Sequence, residues 1–170
     1  MKAKEIALRP AILISYEILL TALAFAVPFL VSGPQILTGS LVNLFLLLSA
    51  TRFSGKNKIL IAIAPSVGAL LHGMVFGGFT IYLAYFLPFI WIGNLILMES
   101  FRSLEKKSWF TRILLPSLAK SSLLFLSALL FFGIGLVPKI FLTAMGVFQL
   151  ATAILGGAAF YAIRPMIKKQ

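Results

Sequence analysis

Six apolar runs, each near the length of a membrane-crossing helix and each closed by a short polar or Gly/Pro-bearing turn, take up most of the sequence. A bilayer core about 30 Å thick needs about 20 mainly apolar helical residues, and some helices cross with as few as ~17. The candidate helices are 11–31, 35–50, 58–74, 79–98, 113–134 and 141–163. The second and third are short and interrupted by polar or Gly residues. Turn chemistry separates the runs at Ser32-Gly33-Pro34, at Ser54-Gly55-Lys56-Asn57, at Gly77-Gly78 and between Gly135 and Pro138. The reading is an all-α polytopic membrane protein of six transmembrane helices.

Composition excludes the soluble alternatives. Hydrophobic residues make up 61% of the chain and charged residues 11%, with a mean hydropathy of +1.06, against about 25% charged in soluble domains. No polar stretch is long enough for a second, aqueous domain, so residues 1–170 read as a single transmembrane domain. The net charge of +11 comes from short basic clusters between apolar runs, which suits membrane surfaces and not nucleic acid. Cys is absent, so no disulfide framework or thiolate metal site is expected. Lys2, Lys4 and Arg9 ahead of an apolar run look like a signal peptide, but 11–31 is longer than the ~7–15 residues of a signal core, which makes it a retained first helix.

The basic residues also orient the bundle. Lys2, Lys4, Arg9, then Arg52, Lys56, Lys58, then Arg102, Lys106, Lys107, Arg112, and finally Arg164, Lys168 and Lys169 all fall on one side of a six-span chain: 13 of 15 basic residues. Positive residues resist translocation, so that side is the cytoplasm and both termini lie inside. Lys120 falls within the fifth run, and Lys139 alone lies in an outer loop. The expected location is a bacterial or archaeal cytoplasmic membrane.

Polar side chains inside a bilayer are costly and mark interior faces or cavities. Glu17, Asn94 and Lys120 count to a similar depth, and Glu17 with Lys120 is expected to form an intramembrane pair in which each neutralises the other. The alternative has Lys120 snorkelling to the inner headgroups. Asn43 and Gln149 fall nearer the midplane, as pocket lining or interhelical hydrogen-bond partners. Gln35, His72 and Lys139 sit at outer helix ends, with Trp91 deeper. A lone His with no second His or Cys does not make a metal site. Ala11, Ser15, Ala22 and Ala26 give small-residue spacings on the first helix that suit internal packing or a docking face. No HExxH, GxSxG, Walker A or Asp-rich motif is present, and Asp is absent altogether, so no enzyme activity is expected.

Between Leu37 and Met98 the order LTGSLVN, Pro65, LLHG and LPFIWIGN resembles the substrate-binding (S) components of energy-coupling factor (ECF) transporters, which carry a TG-x-x-VN helix, a following Pro, a Leu-rich helix ending in Gly, and a P-F-I-x-x-GN helix. The resemblance implies a receptor that captures a vitamin, cofactor precursor or metal from outside. It implies association with a transmembrane coupling subunit and two cytoplasmic ATPases, which use the ATP; no covalently bound cofactor is expected. It also implies a docking face on the first helix, whose usual Ala-x-x-x-Ala would fall where this chain has Ala11 and Ser15. The expected pocket faces outward between helices 2, 4, 5 and 6, with Gln35, Asn43, His72, Trp91, Lys139 and Gln149 as contacts. Lys139 and His72 lean toward an anionic ligand. Two other functions stay open: a stand-alone secondary transporter or channel that uses the Glu17/Lys120 pair, and a structural subunit of a membrane complex.

Overall fold

The computed structural model describes the backbone of residues 2–31, 34–52, 55–76 and 79–167, and the side chains of 16–31, 34–52, 55, 57–75 and 81–164. Its helices are α1 (Lys2–Leu30), α2 (Gln35–Ala50), α3 (Lys56–Phe76), α4 (Leu83–Ser103), α5 (Trp109–Gly133), α6 (Ile140–Met145) and α7 (Val147–Ile167), with a 3-10 turn at Phe79–Tyr82 ahead of α4. No strand occurs among the described residues.

Four helical stretches are long and apolar enough to cross a membrane: Asn57–Val75, Leu83–Ser103, Trp109–Gly133 and Ile140–Arg164, the last running through α6 and α7. Gln35–Ala50 is shorter, and of α1 the stretch with described side chains is Tyr16–Leu30. Ile18, Leu30, Leu60, Met74, Leu126 and Ile134 are among many large apolar side chains left exposed on the outside, far more than a water-soluble surface carries.

Several boundaries differ from the sequence reading. The backbone of α1 is helical from Lys2, not residue 11. The stretch expected to open the fourth helix is a 3-10 turn at Phe79–Tyr82, and α4 itself runs on to Ser103. The fifth helix starts at Trp109 because Ser108 caps it, its Oγ accepting from the Thr111 backbone N–H at 3.2 Å. Arg112 is therefore inside α5 and not in the loop. It is 2% exposed, its Nε donates to the Phe101 carbonyl at 2.8 Å, and its guanidinium lies 4.1 Å from the Phe101 ring centre. The sixth run is broken at Gly146, between α6 and α7.

Around the bundle the neighbours run α1, α3, α4, α5, α7, α2 and back to α1, while α2 also touches α3 and α4. That second set of contacts draws α2 inward. Its approach to α7 is backbone-close: a Cβ at Gly156 would meet the Asn43 Cβ at 2.7 Å and the Ser40 carbonyl oxygen at 2.8 Å, and one at Gly39 would meet the Thr152 Cγ2 at 2.8 Å. Small residues let helices approach this closely in a membrane, where packing replaces the hydrophobic drive.

Two apolar cores hold the two ends. Leu46, Leu47, Ile61, Leu97, Met98, Phe101 and Phe160 pack at one. Phe86, Leu124, Ala128, Val137, Phe141 and Met145 pack at the other. The first end carries the basic side chains: Arg52 lies 4.9 Å from the Tyr16 ring centre, Lys58 Nζ reaches Glu99 Oε1 at 2.5 Å, and Arg164 lies 5.7 Å from the Tyr161 ring centre.

Candidate ligand cavity

A cavity of about 350 Å³ enters the bundle from the end opposite the basic cluster and stops near its middle. Its rim is set where helices begin or end: Val31 just past α1, Gln35 opening α2, His72 near the end of α3, Leu83 opening α4 and Ile140 opening α6. Orphan carbonyls at helix ends need partners, and two rim residues supply them. Gln35 Nε2 donates to the Ala144 carbonyl in the last turn of α6 at 2.9 Å. His72 Nδ1 lies 2.8 Å from the Phe29 carbonyl in the last turn of α1, so that nitrogen carries the donated hydrogen. Both rim contacts cross between helices and fix the width of the opening.

The walls are mainly apolar, from Ile90 on α4, Phe141 and Met145 on α6, and Phe148 on α7. Pro28, Pro65 and Ala69 complete the side formed by α1 and α3. Ser66 is the polar exception on that side; Trp91 Nε1 donates to its Oγ at 2.8 Å, and the Oγ in turn donates to the Ile63 carbonyl at 2.9 Å.

The deep end is polar and carries charge. Lys120, the twelfth residue of the 25 in α5, is 2% exposed, and its Nζ donates to Asn43 Oδ1 at 2.7 Å. Asn43 Nδ2 donates to the Gly39 carbonyl at 2.9 Å and to Thr152 Oγ1 at 3.2 Å, and Thr152 donates on to the Gln149 carbonyl at 3.2 Å. This one chain of hydrogen bonds ties α5 to α2 and α2 to α7. The close approach at Gly39 and Gly156 makes it possible, because a bulkier α7 would hold Thr152 out of reach. Asn94 on α4 also lines the cavity: its Nδ2 donates to the Ala62 carbonyl at 2.8 Å, one turn before Pro65, while its buried Oδ1 accepts nothing among the described residues.

Four of the six expected contacts line this cavity: Gln35, Asn43, His72 and Gln149. Two do not. Trp91 braces Ser66 from behind, since it lies about 100° around α4 from Ile90. Lys139 is exposed at the start of α6 and outside the lining. The lining also includes α1 and α3 in addition to α2 and α4–α7.

The expected Glu17/Lys120 pair is not formed. Glu17 Oε2 accepts from Asn57 Nδ2, at the start of α3, and Lys120 donates to Asn43. The physical reason is depth. Glu17 adjoins Tyr16, which stacks with Arg52 in the turn after α2, so Glu17 lies level with the basic end, whereas Lys120 is at the middle of its helix. Burial within the bundle likewise excludes snorkelling by Lys120.

Of the proposed docking residues, Ala22 is exposed on the flank groove between α1 and α3, and Ala26 is half-buried. The side chains of Ala11 and Ser15 lie outside the described residues. The sequence reading did not include Lys120 and Asn94 in the cavity lining, nor Thr152 as the partner that holds Asn43, although all three are polar residues within apolar runs. No family model matches the chain, and no curated protein or solved structure matches it.

Proposed function

We propose that the chain is the substrate-binding component of an ATP-driven energy-coupling factor importer, which takes a small molecule from outside the cell. In this reading six helices cross a bacterial or archaeal cytoplasmic membrane, α1 and the shorter α2 included, with both termini inside. The cavity is the observation that carries the proposal. Its volume, about 350 Å³, falls in the range of small-molecule sites, and its apolar walls with a few convergent polar groups are the usual lining of such sites. It opens at the end opposite the basic residues, which the positive-inside rule assigns to the outer face.

The residues that carry the family resemblance gather at this cavity: Thr38, Gly39, Asn43 and Asn94 all line it. The chain itself then binds and hands over its cargo without being an enzyme. A transmembrane coupling subunit docks against the α1 flank near Ala22, and two cytoplasmic ATPases supply the energy. Ion-coupled transport by the chain alone rested on a Glu17/Lys120 pair, and these two residues have other partners.

The test begins with mass spectrometry of small molecules that co-purify with the protein. Uptake of the molecule found is then measured in proteoliposomes, with and without coupling and ATPase subunits. Uptake that requires those subunits and ATP is the expected result. Gradient-driven uptake by the chain alone overturns the proposal.

A further inference from the structure

Lys120 brings an under-used hydrogen-bond donor to the floor of the cavity. It lies at the middle of an apolar helix, is 2% exposed, and among the described residues has one acceptor, a neutral amide oxygen, although a lysine side chain has more than one hydrogen to donate. The whole sequence holds four acidic residues: Glu5, Glu17, Glu99 and Glu105. Glu17 bonds to Asn57, Glu99 pairs with Lys58, and Glu105 is exposed in the turn after α4, so among the described residues no carboxylate reaches Lys120. A charge this deep in a bundle is costly unless something neutralises it. Lys120 lines the cavity, so a bound molecule can reach it.

Asn94 makes a second, independent demand. It is 1% exposed, it lines the same cavity, and its Oδ1 is a buried acceptor with no donor. Its Nδ2 bond to the Ala62 carbonyl fixes which end of the amide is the oxygen, because a flipped amide would set two oxygens against each other. Gln149 adds an amide side chain to the lining that has no protein partner among the described residues. Beyond these groups the walls are Ile90, Phe141, Met145 and Phe148.

We propose that the cavity binds a small organic anion whose carboxylate or equivalent oxyanion meets Lys120 Nζ, with an N–H or O–H of the same molecule donating to Asn94 Oδ1 and an apolar body against α4, α6 and α7. The inference rests on the reading of the cavity as a receptor site and names the class of cargo. The Lys139 side chain, exposed at the other end, has no part in it.

The test uses full-length protein in nanodiscs and thermal unfolding as the readout. The probes are molecules below about 500 Da from a bacterial extract, split on an anion-exchange resin into a retained anionic fraction and a flow-through of neutral and cationic molecules, with inorganic phosphate and chloride run separately. The expected result is a rise in melting temperature with the anionic fraction alone, lost in Lys120→Met. Dilution series place the affinity of Lys120→Met on the order of 30-fold or more below wild type, since truncating one partner of a buried charge pair costs about 2–5 kcal/mol. Asn94→Leu weakens the same shift. The double variant Lys120→Met/Asn43→Leu, which removes both members of the Lys120–Asn43 bond, is folded and gives no shift. A shift of equal size from the flow-through, or one from the anionic fraction that survives in Lys120→Met, overturns the cargo class and leaves the receptor reading standing. A shift reproduced by phosphate or chloride alone makes this an inorganic anion site and overturns the organic class. No shift with any fraction overturns the receptor reading, and the cargo class falls with it.

Discussion

Replacing Asn43 by Leu removes the acceptor of Lys120 and the donor to Thr152 in one step while keeping the number and branching of the side-chain heavy atoms. The two losses are unequal. A hydrogen bond from a charged donor contributes about 1.5–3 kcal/mol, and the 2.7 Å contact from Lys120 Nζ is of that kind. A neutral interhelical bond in a membrane protein averages about 0.6 kcal/mol, and the 3.2 Å contact to Thr152 belongs there. The bond to the Gly39 carbonyl adds little, because that oxygen lies mid-helix and has a helical partner as well. Asn43→Leu therefore lowers stability by about 2–4 kcal/mol, and Lys120→Met by about 1–3 kcal/mol, the cost of leaving Asn43 Oδ1 unsatisfied. The double variant returns to within about 1 kcal/mol of wild type, since two apolar side chains of similar length replace two that needed each other. Reversible unfolding in mixed micelles measures all four corners of the cycle. A coupling energy below about 0.5 kcal/mol would refute the claim that the Lys120–Asn43 bond holds α5 to α2.

Three further outcomes follow from the packing and the charge pattern. Gly156→Ala drives a methyl into the Asn43 Cβ and the Ser40 carbonyl and costs about 1–3 kcal/mol, whereas Gly133→Ala, which meets nothing within 4 Å, is tolerated; thermal unfolding of the two variants side by side checks the contrast. Arg112→Lys loses the planar stack on Phe101 and the geometry of the Phe101 carbonyl bond, lowering stability by about 1–2 kcal/mol, while Arg102→Lys on the exposed surface changes nothing measurable. Single cysteines at Lys106 and Lys139, introduced into a chain that has none, react with an impermeant maleimide from opposite faces of the membrane; labelling of both from one face contradicts the orientation.

What the sequence made legible was hydrophobicity along the chain. It predicted α2 at 35–50, matching Gln35–Ala50, because Pro34 opens and the polar residues from Thr51 close a run that stays mainly apolar despite Thr38, Gly39 and Asn43. It misplaced the start of α5 because Arg112 reads as loop charge, while its side chain turns inward onto Phe101. Pairing differs for a related reason: counting from residue 11 sets Glu17 deep in the bilayer, whereas its bond with Asn57 and the Arg52 contact of Tyr16 put it level with the basic end. Polar residues inside apolar runs pointed to Gln35, Asn43, His72 and Gln149, which line the cavity, whereas its apolar lining, such as Ile90, Phe141 and Phe148, was not singled out. The direction each one faces depends on rotation about its helix, which separates Trp91 from Ile90 and Asn94, and a single sequence holds that information only weakly. Charge points from Lys120 to Glu17, but its acceptor among the described residues is the neutral amide of Asn43.

The seat of Asn43 Cβ against Gly156 limits how this site can diversify. Position 43 serves two constraints at once: it fits a glycine notch on α7, and it holds the lysine that faces the cavity. A side chain chosen there to suit another cargo must also keep the helix crossing, so change at position 43 is coupled to change at 156 and at 120. Ile90, Phe141 and Phe148 carry no such double duty. Descendants of this chain that adopt new cargo are therefore expected to vary first along the apolar wall, with the Asn43, Lys120 and Gly156 triplet kept or replaced together.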